Sequence, residues 1–240
     1  MGRTLLGMLT PSSNTVLEPV CAEMLRDLPG VSAHFSRFRV TEISLGDAAL
    51  GQFRLEPMLE AASLLADAQV RTICWNGTSA AWLGFAQDRA LVAEIARHTG
   101  VPATSSVLAL EEIFRLSGVT RYGLVTPYLD EVQARILDTF GREGFECAAE
   151  RHSGIRDNFS FSEVRAEDLA RMVREVAAAG PQAISILCTN LAGAPLVEEL
   201  EPELGIPIYD SIATALWGSM RLAGLNPRLL ARRGRLFREL

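Results

Sequence analysis

Lysine is missing from the 240 residues: all 23 strongly basic side chains are arginine. That absence excludes Schiff-base catalysis, a pyridoxal-phosphate lysine and the phosphate loop that depends on a lysine. No Gly-x-Gly-x-x-Gly follows a strand-like run, so a dinucleotide site has no support. Histidine is scarce, and His34, His98 and His152 stand far apart without ligand spacing, which argues against a metal centre. No apolar run approaches the roughly 20 residues needed to span a bilayer. Pro11-Ser12-Ser13-Asn14 also breaks the first apolar stretch too early for a signal peptide. The cysteines Cys21, Cys74, Cys147 and Cys188 contain no Cys-x-x-Cys and read as reduced thiols. A net charge of −6 argues against nucleic acid as a partner, because phosphate-backbone binding relies on clustered positive charge. These absences describe a cytoplasmic chain with no cofactor, no metal and no membrane or nucleic-acid partner.

What is present is a parallel-sheet pattern. With 48% hydrophobic residues the chain can build a substantial core. Apolar runs at residues 5–9, 70–75, 122–125, 183–187 and 206–208 predict short buried strands. Helical patterns follow at 15–27, 55–68, 88–98, 106–116, 130–143, 166–179 and 212–222. Buried strands alternating with helices predict an α/β fold.

Three words recur in order and divide this fold in two. Gly7-Met8-Leu9-Thr10-Pro11 matches Gly123-Leu124-Val125-Thr126-Pro127, Trp75-Asn76-Gly77-Thr78-Ser79 matches Ile186-Leu187-Cys188-Thr189-Asn190, and Gly100-Val101-Pro102 matches Gly205-Ile206-Pro207. The duplication predicts two pseudo-symmetric, Rossmann-like lobes with mainly parallel sheets and a site in the cleft between them. Residues 1–117 form the first lobe, 118–220 the second, and 221–240 a C-terminal segment, with the C-terminal helix able to cross back to the first lobe. Gly77 and Cys188 then occupy equivalent positions at the carboxyl ends of two strands, where open α/β sheets bind ligands. Hydroxyls on Thr78, Ser79, Tyr128 and Thr189, together with the amides of Asn14 and Asn190, make a ring suited to a small carboxylic or dicarboxylic acid. A homo-oligomer is compatible with all of this.

Met8-Leu9-Thr10-Pro11-Ser12-Ser13-Asn14, Thr126-Pro127-Tyr128, Asp157-Asn158, the strand ending in Cys188 and the closing Gly234-Arg235-Leu236-Phe237 resemble the aspartate/glutamate racemase superfamily. Within it, the likeness is to the maleate cis-trans isomerase and arylmalonate decarboxylase branch. The resemblance implies a cofactor-independent enzyme in which Asn14, Tyr128 and Asn158, with Pro11 beside them, hold substrate carboxylates and Cys188 is the catalytic thiol. Racemases and maleate isomerases carry a second cysteine where this chain has Gly77. Gly77-Thr78-Ser79 with a lone second-lobe cysteine is similar to arylmalonate decarboxylases, in which the Thr and Ser help to bind the enediolate.

The missing thiol bears on the reaction. Two-base racemisation needs an acid and a base on opposite faces of a carbanion, and thiolate-driven isomerisation needs a nucleophile plus a second proton carrier. Decarboxylation needs only an oxyanion pocket and one acid. The reading therefore favours decarboxylation of a substituted malonate over isomerisation or racemisation by a modified mechanism. A non-catalytic carboxylate binder is the third possibility: a low-pKa thiol facing the pocket marks an enzyme, and an inert buried one a binder.

Each residue also has a structural reading. Gly77 fits a tight turn needing positive φ, Asn14 and Asn158 fit caps or turns, and Cys21, Cys74 and Cys147 fit the core. Trp75, Trp82, Phe85, Phe159 and Phe161 fit the core or an apolar pocket wall. Arg232-Arg233-Gly234-Arg235 fits a solvated C-terminal segment.

Overall fold

In the computed structural model, which describes residues 2–46, 51–52 and 54–240, the apolar runs become the centres of two sheets. Strand β1 (Thr4–Pro11) lies between β2 (Val31–Phe38) and β3 (Thr72–Trp75), with β4 (Ala103–Ser105) beyond β3. The second sheet repeats the order: β5 (Arg121–Thr126) lies between β6 (Glu146–His152) and β7 (Ala183–Ile186), with β8 (Ile208–Asp210) outside β7. Every pairing is parallel. The duplicated words occupy equivalent strands, so the fold is α/β with two matching four-stranded sheets.

Strands with covered faces were the legible ones. β3 and β7 are buried throughout, and water never imposes polar residues on them. Edge strands β2 and β6 carry His34, Arg37, Glu150 and Arg151, whose polarity blunts an open edge and erases the apolar pattern. The last expected strand starts later than residue 206. Pro207 has no N–H and contributes only its carbonyl, which accepts from Ile184 N at 2.9 Å.

The helices are α1 (Leu17–Leu25), α2 (Leu55–Asp67), α3 (Ala80–Leu83), α4 (Phe85–Thr99), α5 (Ser106–Leu116), α6 (Asp130–Arg142), α7 (Ala166–Ala177), α8 (Val197–Leu204), α9 (Ser211–Leu222) and α10 (Arg235–Glu239). The expected helices are all there with ends moved by less than a turn; the short α3, α8 and α10 had no clear periodicity. Gly7 and Gly123 explain one repeated word. A β-carbon at Gly7 would come within 2.9 Å of the Thr72 carbonyl and Val70 Cγ2, and one at Gly123 would run into Val176 of α7. None of the helices in the described residues is long and apolar enough to cross a membrane.

Two helices exchange partners. α5 follows the first sheet, yet its Phe114 packs on Tyr122 of β5 and Tyr209 of β8, with ring centroids 5.4 and 6.1 Å apart. α9 follows the second sheet, yet it packs on α5, β3 and β4, with Gly218 admitting Ala109. Its residues Ser211 to Met220 are all buried. A cut at residue 117 therefore separates the sheets but not the helices that cover them. Equivalent caps start both helices: Ser105 Oγ accepts from Leu108 N, and Asp210 Oδ1 accepts from Ile212 N and Ala213 N.

The C-terminal arginines correct one expectation. Only Arg232 is solvated. The Arg233 guanidinium donates to the Glu23 carbonyl at 2.8 Å, and Arg235 N donates to buried Glu201 at 2.7 Å, which pins the end of the chain to α1 and α8.

Candidate active site

The turns after β1, β3, β5 and β7 meet at one cavity. It is narrow and is lined by Pro11, Val40, Ile43, Trp75, Gly77, Thr78, Ser79, Trp82, Tyr128, Asn158, Cys188 and Thr189. No charged side chain among the described residues lines it. The residues named from sequence thus come together, with the exceptions of Asn14 and Asn190. Val40 and Ile43 had no signal, because they follow an edge strand in a segment without periodicity. That segment crosses to the other half: Asn158 N donates to the Thr41 carbonyl at 3.0 Å and Ile43 N to the Arg156 carbonyl at 3.1 Å.

Asn14 works behind the wall. Its Nδ2 donates to the Thr189 carbonyl and Oγ1 at 3.0 and 3.1 Å, and its Oδ1 accepts from Val16 N and Leu17 N. Thr189 Oγ1 in turn donates to the Asn76 carbonyl at 2.7 Å. Asn190 reaches across in the same way, accepting from Thr15 N at 2.9 Å and donating to the Asn158 carbonyl at 2.6 Å. These buried bonds tie the first half to the second and hold the turn that carries Cys188. Asn158 Nδ2 is occupied by Ser13 Oγ at 2.7 Å.

Other polar groups face the cavity with capacity to spare. Tyr128 OH and Thr78 Oγ1 are 2.5 Å apart. The Tyr128 ring is clamped edge-on by Trp82 and Phe161, with centroids at 5.2 and 5.4 Å. Burial and neighbouring Cys188 raise the Tyr128 pKa well above its ordinary value, so the group stays a phenol. Ser79 Oγ and the backbone N–H groups of Thr78 and Ser79 bond to no described residue, which leaves them for a ligand's oxygen atoms.

Cys188 Sγ accepts a hydrogen bond from Asn190 N at 3.3 Å. Burial pushes its thiol up to about 12, and Asp210 adds to the rise; the N–H groups of Asn190 and Leu191 and the Tyr128 hydroxyl pull the other way. Cys188 thus lines the cavity as a buried, protonated thiol: it has the pocket position expected of the enzyme but not the low pKa, and its burial and raised pKa are the features expected of the binder. Cys74 is fully buried within β3, is likewise pushed to about 12 by burial, and lies outside the cavity lining. Cys21 and Cys147 also lie outside it.

Gly77 is glycine for a reason other than the one expected. It is absent from the glycines with positive φ. A β-carbon at residue 77 would instead fall inside the Trp75 indole, on Cζ2, Cε2 and Cη2. Where a second thiol would stand, this chain has an aromatic ring. Among the other aromatics, Phe85 packs on Phe140 at 5.0 Å and Phe159 is exposed.

The histidines do not converge. His34 bonds to Ser32, His98 to Ser63, and His152 to Glu150 and Asp130. No group of three His, Cys, Asp or Glu side chains poised for a metal occurs among the described residues.

Comparison with known proteins places this geometry. The family model described as arylmalonate decarboxylase matches residues 36–237. An arylmalonate decarboxylase of Bordetella bronchiseptica is 27% identical over 237 residues, covering 98% of this chain and 96% of that one. A maleate isomerase of Nocardia farcinica is 29% identical over 249 residues, covering 100% and 97%. The fold is shared with a solved Nocardia farcinica maleate cis-trans isomerase variant carrying a covalently bound succinylcysteine intermediate, at a TM-score of 0.90 and 24% identity over 100% of both chains. The chain is therefore similar to enzymes of both kinds, and by the extent of the family match it belongs to the arylmalonate decarboxylase family.

Proposed function

We propose that this protein decarboxylates a substituted malonate or related dicarboxylate, with Cys188 as the only proton donor. One observation carries the reading: the position equivalent to Cys188 in the other half is a glycine whose side-chain space is filled by Trp75. A second acid or base has no room there.

The chemistry follows from the residues present. One substrate carboxylate accepts hydrogen bonds from Ser79 Oγ, the N–H groups of Thr78 and Ser79, and the Thr78–Tyr128 hydroxyl pair. The other carboxylate lies against apolar walls such as Val40, Ile43 and Trp82, where losing its charge as carbon dioxide is favoured over staying ionised. The bond between the α-carbon and that carboxylate breaks, and its electron pair passes into an enediolate on the remaining carboxylate. Neutral donors held in place by a buried wall stabilise this dianionic group without the reorganisation that bulk water would need. The Cys188 thiol then gives its proton to the α-carbon, and the thiolate regains one from water. A thiol that burial keeps protonated is matched to this role and poorly matched to nucleophilic addition across a double bond.

The test is incubation with a panel of α-substituted malonates, maleate, aspartate and glutamate in deuterated water, followed by NMR and chiral chromatography. Release of carbon dioxide with one deuterium on one face of the product is the expected result. Fumarate formed from maleate, or deuterium washed into both enantiomers of an amino acid, would replace the proposal with isomerisation or racemisation. Binding without turnover would make the protein a carboxylate binder.

A further inference from the structure

We infer that Trp75 is the specificity-determining residue of this site: its indole keeps residue 77 a glycine and closes the catalytic cavity to large α-substituents. This rests on the proposed decarboxylation for its substrate arm and on packing alone for its stability arm.

Trp75 ends β3, is 1% exposed, and is braced by Phe38 with ring centroids 5.1 Å apart. Its six-membered ring stands over the Cα of Gly77, in the volume a side chain there would take. Residues 75 and 77 thus compete for one space: a tryptophan with a glycine fills it, and so does a smaller residue with a side chain at 77. Both options suit close packing, but a tryptophan with any side chain at 77 overfills the space.

The same ring is a partition. Trp75 and Ser79 line the catalytic cavity and also a larger neighbouring cavity walled by Leu55, Met58, Asp88 and Leu91. In that outer cavity Asp88 is 2% exposed with an unpaired Oδ2, and the Trp75 indole N–H has no partner. Removing the indole joins the two spaces. The occupant admitted is the α-substituent of a malonate, a bulky apolar group, since Leu55, Met58 and Leu91 make the near wall apolar.

A double-mutant cycle tests the packing. Gly77→Ala, Trp75→Leu, Trp75→Ala and the two double variants are purified, and their thermal midpoints are compared. Gly77→Ala lowers the midpoint by several degrees in the native background and leaves it unchanged beside Trp75→Leu or Trp75→Ala. Should Trp75→Ala fail to fold, the leucine variant alone completes the cycle. An equal effect of Gly77→Ala in both backgrounds would overturn the shared-space assignment, whatever the enzyme's activity.

The substrate arm compares kcat/KM for α-methyl-α-naphthyl malonate and α-methyl-α-phenyl malonate. Trp75→Leu shifts the ratio toward the naphthyl compound by roughly tenfold or more, the scale on which apolar pockets discriminate by size. An unchanged ratio in an active variant would refute the gating role. Coupled midpoints with neither malonate turned over by any form, native protein included, would instead refute decarboxylation of arylmalonates and leave the packing assignment standing.

Discussion

Raising the pH from about 6 to about 9 separates the two kinds of chemistry that a thiol in this cavity can perform. Burial holds the Cys188 thiol near 12, so at pH 8 only about one part in 10⁴ is thiolate, against about a quarter for a free cysteine of pKa near 8.5. As a proton donor the residue is already in its working form throughout this range. Turnover of a malonate should then be nearly flat with pH and should fall only when the thiol itself ionises. A nucleophilic thiolate would give the opposite profile, a rise of about tenfold per pH unit across the whole range. Iodoacetamide labelling of Cys188, read by mass spectrometry of the intact protein, should be slower than that of a free thiol by about 10³-fold at pH 8 from the thiolate fraction alone. The physical source is the 3% exposure of the residue and the absence of any cation in the cavity lining among the described residues. A tenfold rise in turnover per pH unit, or labelling at the rate of free cysteine, would refute the assignment of Cys188 as a neutral acid.

Replacing Cys188 with Ala should lower kcat by about 10²-fold or more while Cys74→Ala changes the denaturation midpoint more than the rate, because only the first sulfur lines the cavity; near-native turnover in Cys188→Ala would be the contrary result. Asp88 is pushed up from 3.8 to about 7 by burial, so the folded state keeps a proton that the unfolded chain releases between those pH values. Its contribution to stability therefore falls as pH rises through that window, by about 4 kcal/mol when complete, and Asp88→Asn should flatten this part of a pH series of urea denaturations. Asn190→Ala removes the acceptor for Thr15 N and Val16 N and the donor to the Asn158 carbonyl, all buried. It should destabilise the protein by about 2–3 kcal/mol and lower activity with it, as measured by chemical denaturation beside a turnover assay.

The duplicated half was legible in the sequence because both copies obey the same local physics. A glycine in the middle of β1 and β5, a Thr-Pro at each strand end and a Gly-x-Pro before each last strand are requirements of backbone geometry, and they survive as words. The buried centres β3 and β7 were legible because no face of them meets water, and most of the cavity followed, since turns after equivalent strands must converge. Other features depended on contacts between residues remote in the chain. The role of Asn14 is set by Thr189, the walls Val40 and Ile43 by a segment that reaches residues 156–158, and the exchange of α5 and α9 by packing across the halves. Gly77 shows the division most clearly. From sequence it was a lost thiol or a turn with positive φ, both local explanations. Its actual constraint is the volume of Trp75, only two residues away, and that volume became decisive once the tertiary fold braced the indole against Phe38 and turned it over the Gly77 Cα.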